Sequence, residues 1–302
     1  NELYIQKLNN LYLKKLKNNI KFNIKYINIL PYADTLISKN GLWNLLTKYN
    51  SGKYLYKYFP KTFILQNFYN RIDFSKLFYN YFNDKNINKN KIKKVLILKK
   101  NINNKRGLKL FFIENKNDIV DIYNIYYLEN YKVIQEFISN PYLYLNKIVI
   151  LRVYLVIKKI PKKEYIFRRE EWTKCLYCSE NYNMNLKNEN IYISDSKFYN
   201  EDYPKNLGEL FINLELRNEI LIKIDNIFEI IKNSSKDLIF NNKILEESIQ
   251  FQLFGCDFIL DNSYNPYLLE MNKDPCLNNN FNKEEEIIKK NMITNMYDFI
   301  RE

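Results

Sequence analysis

The stretch FQLFGCDFILDNSYNPYLLEMNKDP, residues 251 to 275, constrains this chain more than any other. Two apolar runs flank DNSYNP, whose Asp, Asn, Ser and Pro content favours a turn, so the pair reads as a β-hairpin. Buried strands seldom carry carboxylates. Here Asp257 stands in the first run, and Glu270 and Asn272 in the second. Glu270 and Asn272 are two apart and share one strand face. Asp257 can lie opposite or diagonal to them, where paired strands hold side chains about 4.5 to 5.5 Å apart. Three hard oxygen-bearing groups so placed can converge on one cation, and Mg²⁺, which ordinarily brings phosphate oxygens with it, suits them. The plain alternative is a half-exposed strand pair with solvated carboxylates.

Other segments supply groups that a phosphate would need. VLILKK, 95 to 100, ends a strand with Lys99, and KRGLKL, 105 to 110, follows through Gly107 as a strand-loop-strand cover. VIQEFI, 133 to 138, can supply hinge backbone to an adenine ring. Arg152 on IVILRVYLVI and Arg169 after EYIFR are cations able to hold phosphate or carboxylate. Each alone is more ordinarily a surface lysine or a strand-edge arginine. Their order along the chain carries the weight.

With 302 residues the chain can form two or three subdomains, because single cores seldom grow beyond about 250 to 300 residues. Residues 3 to 16 place apolar side chains on one helical face, 20 to 30 alternate as a strand, 41 to 50 read as a short helix and 58 to 65 as a strand. Residues 84 to 94 form a polar, low-complexity loop. Strands are predicted at 95 to 98, 108 to 113, 131 to 138, 148 to 157 and 164 to 168. Ile220, Ile224, Ile227 and Ile231 recur at helical spacing, which places a long helix against the sheet. A last helix follows Asn282 as N-cap with Glu285 three residues on, and Ile288, Met292, Met296 and Phe299 share a face. The fold class is α+β, with mostly antiparallel sheet in the second half.

The net charge of +13 would suit an acidic partner, but Lys, Asn, Ile, Tyr and Phe abound throughout while Gly, Ala and His are scarce. The basicity is therefore either compositional drift or design. Cys175 and Cys178 have C-x-x-C spacing, yet no second pair and no His complete a zinc site, so free thiols in a reducing cytosol are expected. The absence of His excludes Ser-His and Cys-His machinery, leaving carboxylates, Lys, Arg and metal for any chemistry. No apolar run approaches the roughly 20 residues of a membrane span. A chain that starts at Asn1 and lacks a signal-peptide core is expected to have lost its true N-terminus.

The order of these segments resembles the tubulin-tyrosine ligase family, an ATP-grasp group that includes tubulin polyglutamylases and polyglycylases. LPYADTLISKNGLWNLL resembles the family's entry to its central domain, and YFPKTFIL its F-P-x-x-Y/F-x-L motif. VLILKK resembles the strand ending in the nucleotide Lys, and VIQEFISNPYLYLNKIVILRVYLVI the hinge leading to the D-x-R strand. YIFRREE resembles Y-x-Y-R-E-G, and IYISDS the L-T-N segment. FQLFGCDFILD with PYLLEMNKDP resembles the highly specific pair F-x-L-F-G-x-D-F and L-x-E-V-N-x-x-P. The resemblance runs from about Tyr26 to about Asn278.

It implies an ATP-grasp fold with a partial N-terminal segment at 1–36, a central domain at 37–134 and a C-terminal domain at 135–302 closing over ATP. It implies that Asp257, Glu270 and Asn272 bind Mg²⁺, that Lys39 and Lys99 contact phosphates, and that Gln135, Glu136, Phe137 and Ile138 line the adenine. Arg152 and Arg169 would face the γ-phosphate and the incoming amino acid. The implied activity is ligation of an amino acid to a tubulin carboxylate through an acylphosphate, with tyrosine favoured over glutamate or glycine on the compact length. A cytoplasmic monomer acting on acidic tubulin tails is expected, possible microtubule or axoneme association included. Three departures stand against this: Ile148 and Ile150 replace polar residues of the D-x-R strand, Asp195 replaces the L-T-N amide, and the loop NINNKRG keeps only Gly107. A degenerate member that binds tubulin or nucleotide without ligating is the rival reading. A nucleic-acid binder ranks last, for want of a motif.

Overall fold

The computed structural model describes residues 25–50, 52–64, 96–99, 133–183, 191–192, 194, 200, 202–240, 247–273, 275–277 and 283–302. In chain order these form β1 (Tyr26–Ile27), α1 (Ala33–Ile37), α2 (Lys39–Tyr49), α3 (Gly52–Leu55), β2 (Thr62–Ile64), β3 (Leu96–Lys99), β4 (Val133–Glu136), β5 (Leu143–Tyr144), β6 (Lys147–Lys159), β7 (Tyr165–Tyr177), α4 (Leu207–Leu210), α5 (Leu214–Phe240), β8 (Ile249–Leu260), β9 (Pro266–Lys273) and α6 (Lys283–Arg301). The mixture is α+β. The expected strand at 108 to 113, the loop at 84 to 94 and the N-terminal helix at 3 to 16 lie outside the described residues.

β6 is the spine of a six-stranded sheet, antiparallel to β7 on one side and β8 on the other. β9 pairs with β8, β5 folds back on the start of β6, and β1 runs parallel to the start of β8. β6 and β8 are covered on both faces, which is why IVILRVYLVI and FQLFGCDFIL are nearly continuous apolar runs. The β8–β9 turn is closed by Asp261, whose Oδ1 accepts from the backbone N–H groups of Ser263 (2.9 Å) and Asn265 (2.8 Å).

One face of the sheet packs on α5. Ile220, Ile224, Ile227 and Ile231 are fully buried there in a core with Val149, Leu151, Val153 and Leu155. The opposite face is divided. At one end α6 covers Tyr154, Val156, Phe251 and Leu253 with Met292, Met296 and Phe299. Two cations fasten its last turns: buried Lys158 donates to the Phe299 carbonyl (2.8 Å) and Arg168 to that of Asn295 (2.9 Å). At the other end Ile148, Ile150 and Ile259 turn toward Ile97 and Phe137. Ile97 belongs to a second sheet, the antiparallel trio β2–β4–β3, and Phe137 follows β4 on the link between the sheets.

Cys175 and Cys178 are three apart on β7 and its continuation, so their side chains enter opposite cores, one against α5 and the other with Ile148 and Ile259. Both are buried free thiols, and burial pushes Cys178 up to about 12. No described helix is long and apolar enough to cross a membrane.

The α1–α2 corner is tight. Ser38 caps α2 by accepting from the Gly41 N–H (3.1 Å), and a Cβ on Gly41 would stand 2.7 Å from the Thr35 carbonyl oxygen and 2.9 Å from Ser38 Oγ. Alanine there gains about 1 kcal/mol of helix propensity. It also forces a backbone carbonyl aside, and overpacking of this kind costs about 1 to 3 kcal/mol. Gly41→Ala is therefore expected to lower the thermal unfolding midpoint; an unchanged or higher Tm would show that the corner has slack.

Candidate functional site

The two sheets enclose a cleft of about 220 Å³. One end is apolar: Ile97 and Phe137 meet Ile148, Ile150 and Ile259, with the Tyr192 ring edge-on to Phe137 at 6.5 Å. The other end carries Lys99, Gln135, Arg152, Asp257 and Glu270. Glu136, Ile138, Ser194 and Leu269 complete the lining. Ile148 and Ile150, which stand where polar residues were expected, thus build an apolar floor.

A β-bulge makes the polar end possible. Glu270 lies opposite Asp257, but the next pair is Leu268 with Phe258, so Leu269 is an extra residue on β9. In strict alternation Leu268 and Glu270 would share a face. With the bulge Leu268 stays in the α5 core while Glu270 turns into the cleft. Asn272 follows two residues on, opposite Gly255. A Cβ at Gly255 would stand 3.0 Å from that of Pro275 and 3.5 Å from Arg152 Cδ, so glycine leaves room for the arginine stem.

The three hairpin side chains converge. The Asn272 amide nitrogen is 3.4 Å from Asp257 Oδ2 and 3.3 Å from Glu270 Oε1. Arg152, opposite Asp257 on β6, makes a two-pronged pair with it at 2.7 Å on each arm. Lys39, the first residue of α2, reaches Glu270 Oε2 at 3.0 Å. Lys99 donates to Gln135 Oε1 at 2.6 Å.

These contacts set the charges. Burial alone would raise the Glu270 carboxyl, but Lys39 and Lys99, together with the Asn272 amide, outweigh it and hold it below its usual range. Burial pushes Asp257 up, and Arg152 pulls it back only in part. Burial, with repulsion from Lys39 and against attraction to Glu270, brings Lys99 down to about 8. Three cations therefore face two carboxylates.

Arg169 requires a correction. It pairs opposite Leu155 on the α5 face of the sheet, the face that Tyr165 and Cys175 share with it by strict alternation along β7, and the two-residue register shift in the β6–β7 pairing leaves that parity unchanged. There its guanidinium holds both carboxylate oxygens of Asp225 at 2.7 and 3.1 Å, away from the cleft. The cation that neighbours Arg152 across the strand pair is Lys174, which sequence reading missed. Its signal was parity: Lys174 lies five residues from Arg169 along β7 and so on the opposite face, but the sequence does not tell which face meets the cleft. Tyr192 was missed too, within the segment IYISDS. Asp195 and Gly107 lie outside the described residues.

An α+β chain whose two sheets close on a cleft, apolar at one end and charged at the other, has the form of a ligand-binding protein. The family model for the tubulin-tyrosine ligase family matches residues 16–298, and the chain belongs to that family. Among curated proteins it is similar to the probable alpha-tubulin polyglutamylase Ttll1 of Tetrahymena thermophila, 25% identical over 187 residues, covering 56% of this chain and 43% of that protein. It is also similar to tubulin glycylase 3B of the same organism, 24% identical over 197 residues, covering 61% of this chain and 16% of the relative. The chain thus spans less than half the length of either relative it matches.

Whether a divalent cation fits can be judged from the donor set. The Asn272 carboxamide lies within 3.4 Å of both carboxylates, and the set becomes hard oxygen chemistry suited to Mg²⁺ once the amide turns its oxygen inward in place of its nitrogen and phosphate or water supplies the remaining ligands. Among the described residues no three His, Cys, Asp or Glu side chains form a metal group by themselves, so Asn272 and external oxygens would be needed.

The Arg152–Asp257 pair should respond asymmetrically to substitution. The Arg152 side chain is 25% exposed and Asp257's 11%, so an orphaned arginine can reach water more readily than an orphaned aspartate. Arg152→Met is expected to cost on the order of 3 to 5 kcal/mol in urea unfolding, and Asp257→Asn less. Equal losses would show that Lys39 compensates Asp257 when the arginine is gone.

Proposed function

We propose that this chain is an ATP-dependent ligase that joins an amino acid to a carboxylate on a tubulin tail. The observation that carries the reading is the meeting of Asp257, Glu270 and Asn272 with Lys39, Lys99 and Arg152 at one end of a cleft whose other end is apolar. ATP has the matching shape. Ile97, Ile148, Ile150 and Ile259 would lie against the faces of the base, with Glu136, Phe137 and Ile138 along its edge, while the Gln135 amide stands at the charged end with Lys99. Lys39, Lys99 and Arg152 would take phosphate oxygens. The segments 37–134 and 135–302 would act as the two closing domains.

Mg²⁺ held by Asp257, Glu270 and Asn272 would neutralise phosphate charge. The remaining chemistry needs no nucleophile from the protein. An acceptor carboxylate oxygen attacks the γ-phosphorus, the bond to the ADP oxygen breaks, and an acylphosphate forms. The amino nitrogen of a free amino acid then attacks the acyl carbon, phosphate leaves, and the nitrogen loses a proton. The chain's task is positioning and charge neutralisation, which suits a sequence with no His. The activities for which the two relatives are named, glutamylation and glycylation, support glutamate or glycine over the tyrosine favoured by chain length alone.

The test is incorporation of labelled Glu, Gly or Tyr into intact and detyrosinated tubulin with MgATP. Incorporation of one amino acid is expected, with Glu270→Gln reducing it by at least about 100-fold. ATP binding without incorporation of any of the three would favour a tubulin or nucleotide binder that does not ligate.

ATP affinity should also depend on pH. The Lys99 ammonium, lowered to about 8, is charged below that pH and neutral above it. Phosphate monoesters complete their ionisation near pH 6, so the nucleotide's own charge is constant above about 7. Affinity is expected to fall from pH 7 to 9 in the wild type, while Lys99→Met binds weakly at every pH. A flat wild-type profile would remove Lys99 from the phosphate contacts.

A further inference from the structure

A buried hydrogen-bond relay crosses the three-stranded sheet to Lys99. Thr62 Oγ1 donates to the Pro60 carbonyl (2.8 Å), Gln135 Nε2 donates to Thr62 Oγ1 (3.0 Å), and Lys99 Nζ donates to Gln135 Oε1 (2.6 Å). The three side chains come from β2, β4 and β3, and each residue is at most 9% exposed. Chemistry fixes the direction of the relay. The Pro60 carbonyl can only accept, so the Thr62 hydroxyl spends its one hydrogen there and offers Gln135 only lone pairs. Gln135 must then turn its NH₂ toward Thr62 and its oxygen toward Lys99. The flipped amide would set two acceptors against each other at Thr62 and two donors against each other at Lys99.

We propose that Thr62 is a positioning residue: acting through the Gln135 amide, it holds the Lys99 ammonium at the charged end of the cleft for the phosphates of a bound nucleotide. The proposal rests on the reading of the cleft as a nucleotide site. A lysine head group on a flexible four-carbon stem has three donors and no fixed direction. With one donor held by Gln135 the other two are presented to the cleft, and the ordering cost is met before the ligand arrives. The relay also gives Gln135 a role other than that of a base-edge contact, because both ends of its amide are occupied within the sheet.

The test compares Thr62→Val, which keeps the shape and removes the hydroxyl, with Thr62→Ser, which keeps the hydroxyl. ATP binding is measured by calorimetry, and the Lys99 Nζ resonance is recorded by ¹⁵N NMR without ligand. Thr62→Val is expected to weaken ATP binding about tenfold, as for loss of one charged hydrogen bond, and to move the Lys99 signal; Thr62→Ser should leave both near wild type. In a Lys99→Met background Thr62→Val should add no further loss. A purely structural role would cost affinity in both backgrounds, and that additive result overturns the proposal, as does unchanged ATP affinity in Thr62→Val. If the wild type binds no ATP, the nucleotide reading fails instead. The Lys99 signal then decides the relay alone: unmoved in Thr62→Val, it sinks the proposal.

Discussion

Asp257 lies in the interior of a sheet, and an ionised carboxylate there costs several kcal/mol unless a cation meets it. Arg152 meets it because β6 and β8 pair in the register that sets those two residues opposite one another. That register also places the long apolar flanks of both strands under α5 and α6, so slipping it by one residue would unpair the carboxylate and turn the core outward together. The ion pair and the hydrophobic core specify the same alignment.

Glu270 is met by a different route. The bulge at Leu269 turns it into the cleft, and the α1–α2 corner then carries Lys39 to it from the far end of the chain. The corner in turn depends on Gly41, where a side chain would strike the Thr35 carbonyl. A local backbone requirement near residue 40 therefore bears on a carboxylate near residue 270. The link is physical contact rather than sequence proximity.

This separates what could be read in the sequence from what could not. The hairpin was legible because DNSYNP is turn chemistry between apolar runs, and the Ile220, Ile224, Ile227, Ile231 stripe because helical periodicity survives without tertiary context. Side-chain facing was less legible. A bulge adds one residue without any required residue type, so LLEMN does not disclose that Leu268 and Glu270 part company. On β7 alternation alone sets Arg169 and Lys174 on opposite faces, but nothing in the sequence says that α5, with Asp225, covers the face of Arg169 while Lys174 neighbours Arg152. Glycine and isoleucine substitutions could be seen but not interpreted: Ile148 and Ile150 read as lost contacts, whereas in three dimensions they join Ile97, Phe137 and Ile259 in an apolar floor.

The same logic resolves the excess of lysine. Compositional drift can scatter lysines over a surface, where they cost little, but it does not readily bury them, because a desolvated ammonium is unfavourable until something compensates it. The Lys39 side chain is 7% exposed and Lys99 is 9% exposed as a residue, and both bear on Glu270. With Arg152 they set three cations against the Asp257 and Glu270 carboxylates at the polar end of the cleft, whatever the rest of the surface carries. The net charge of +13 is thus a poor guide to what this protein binds, while Lys39, Lys99 and Arg152, each held by a named oxygen, are cations that the fold has placed.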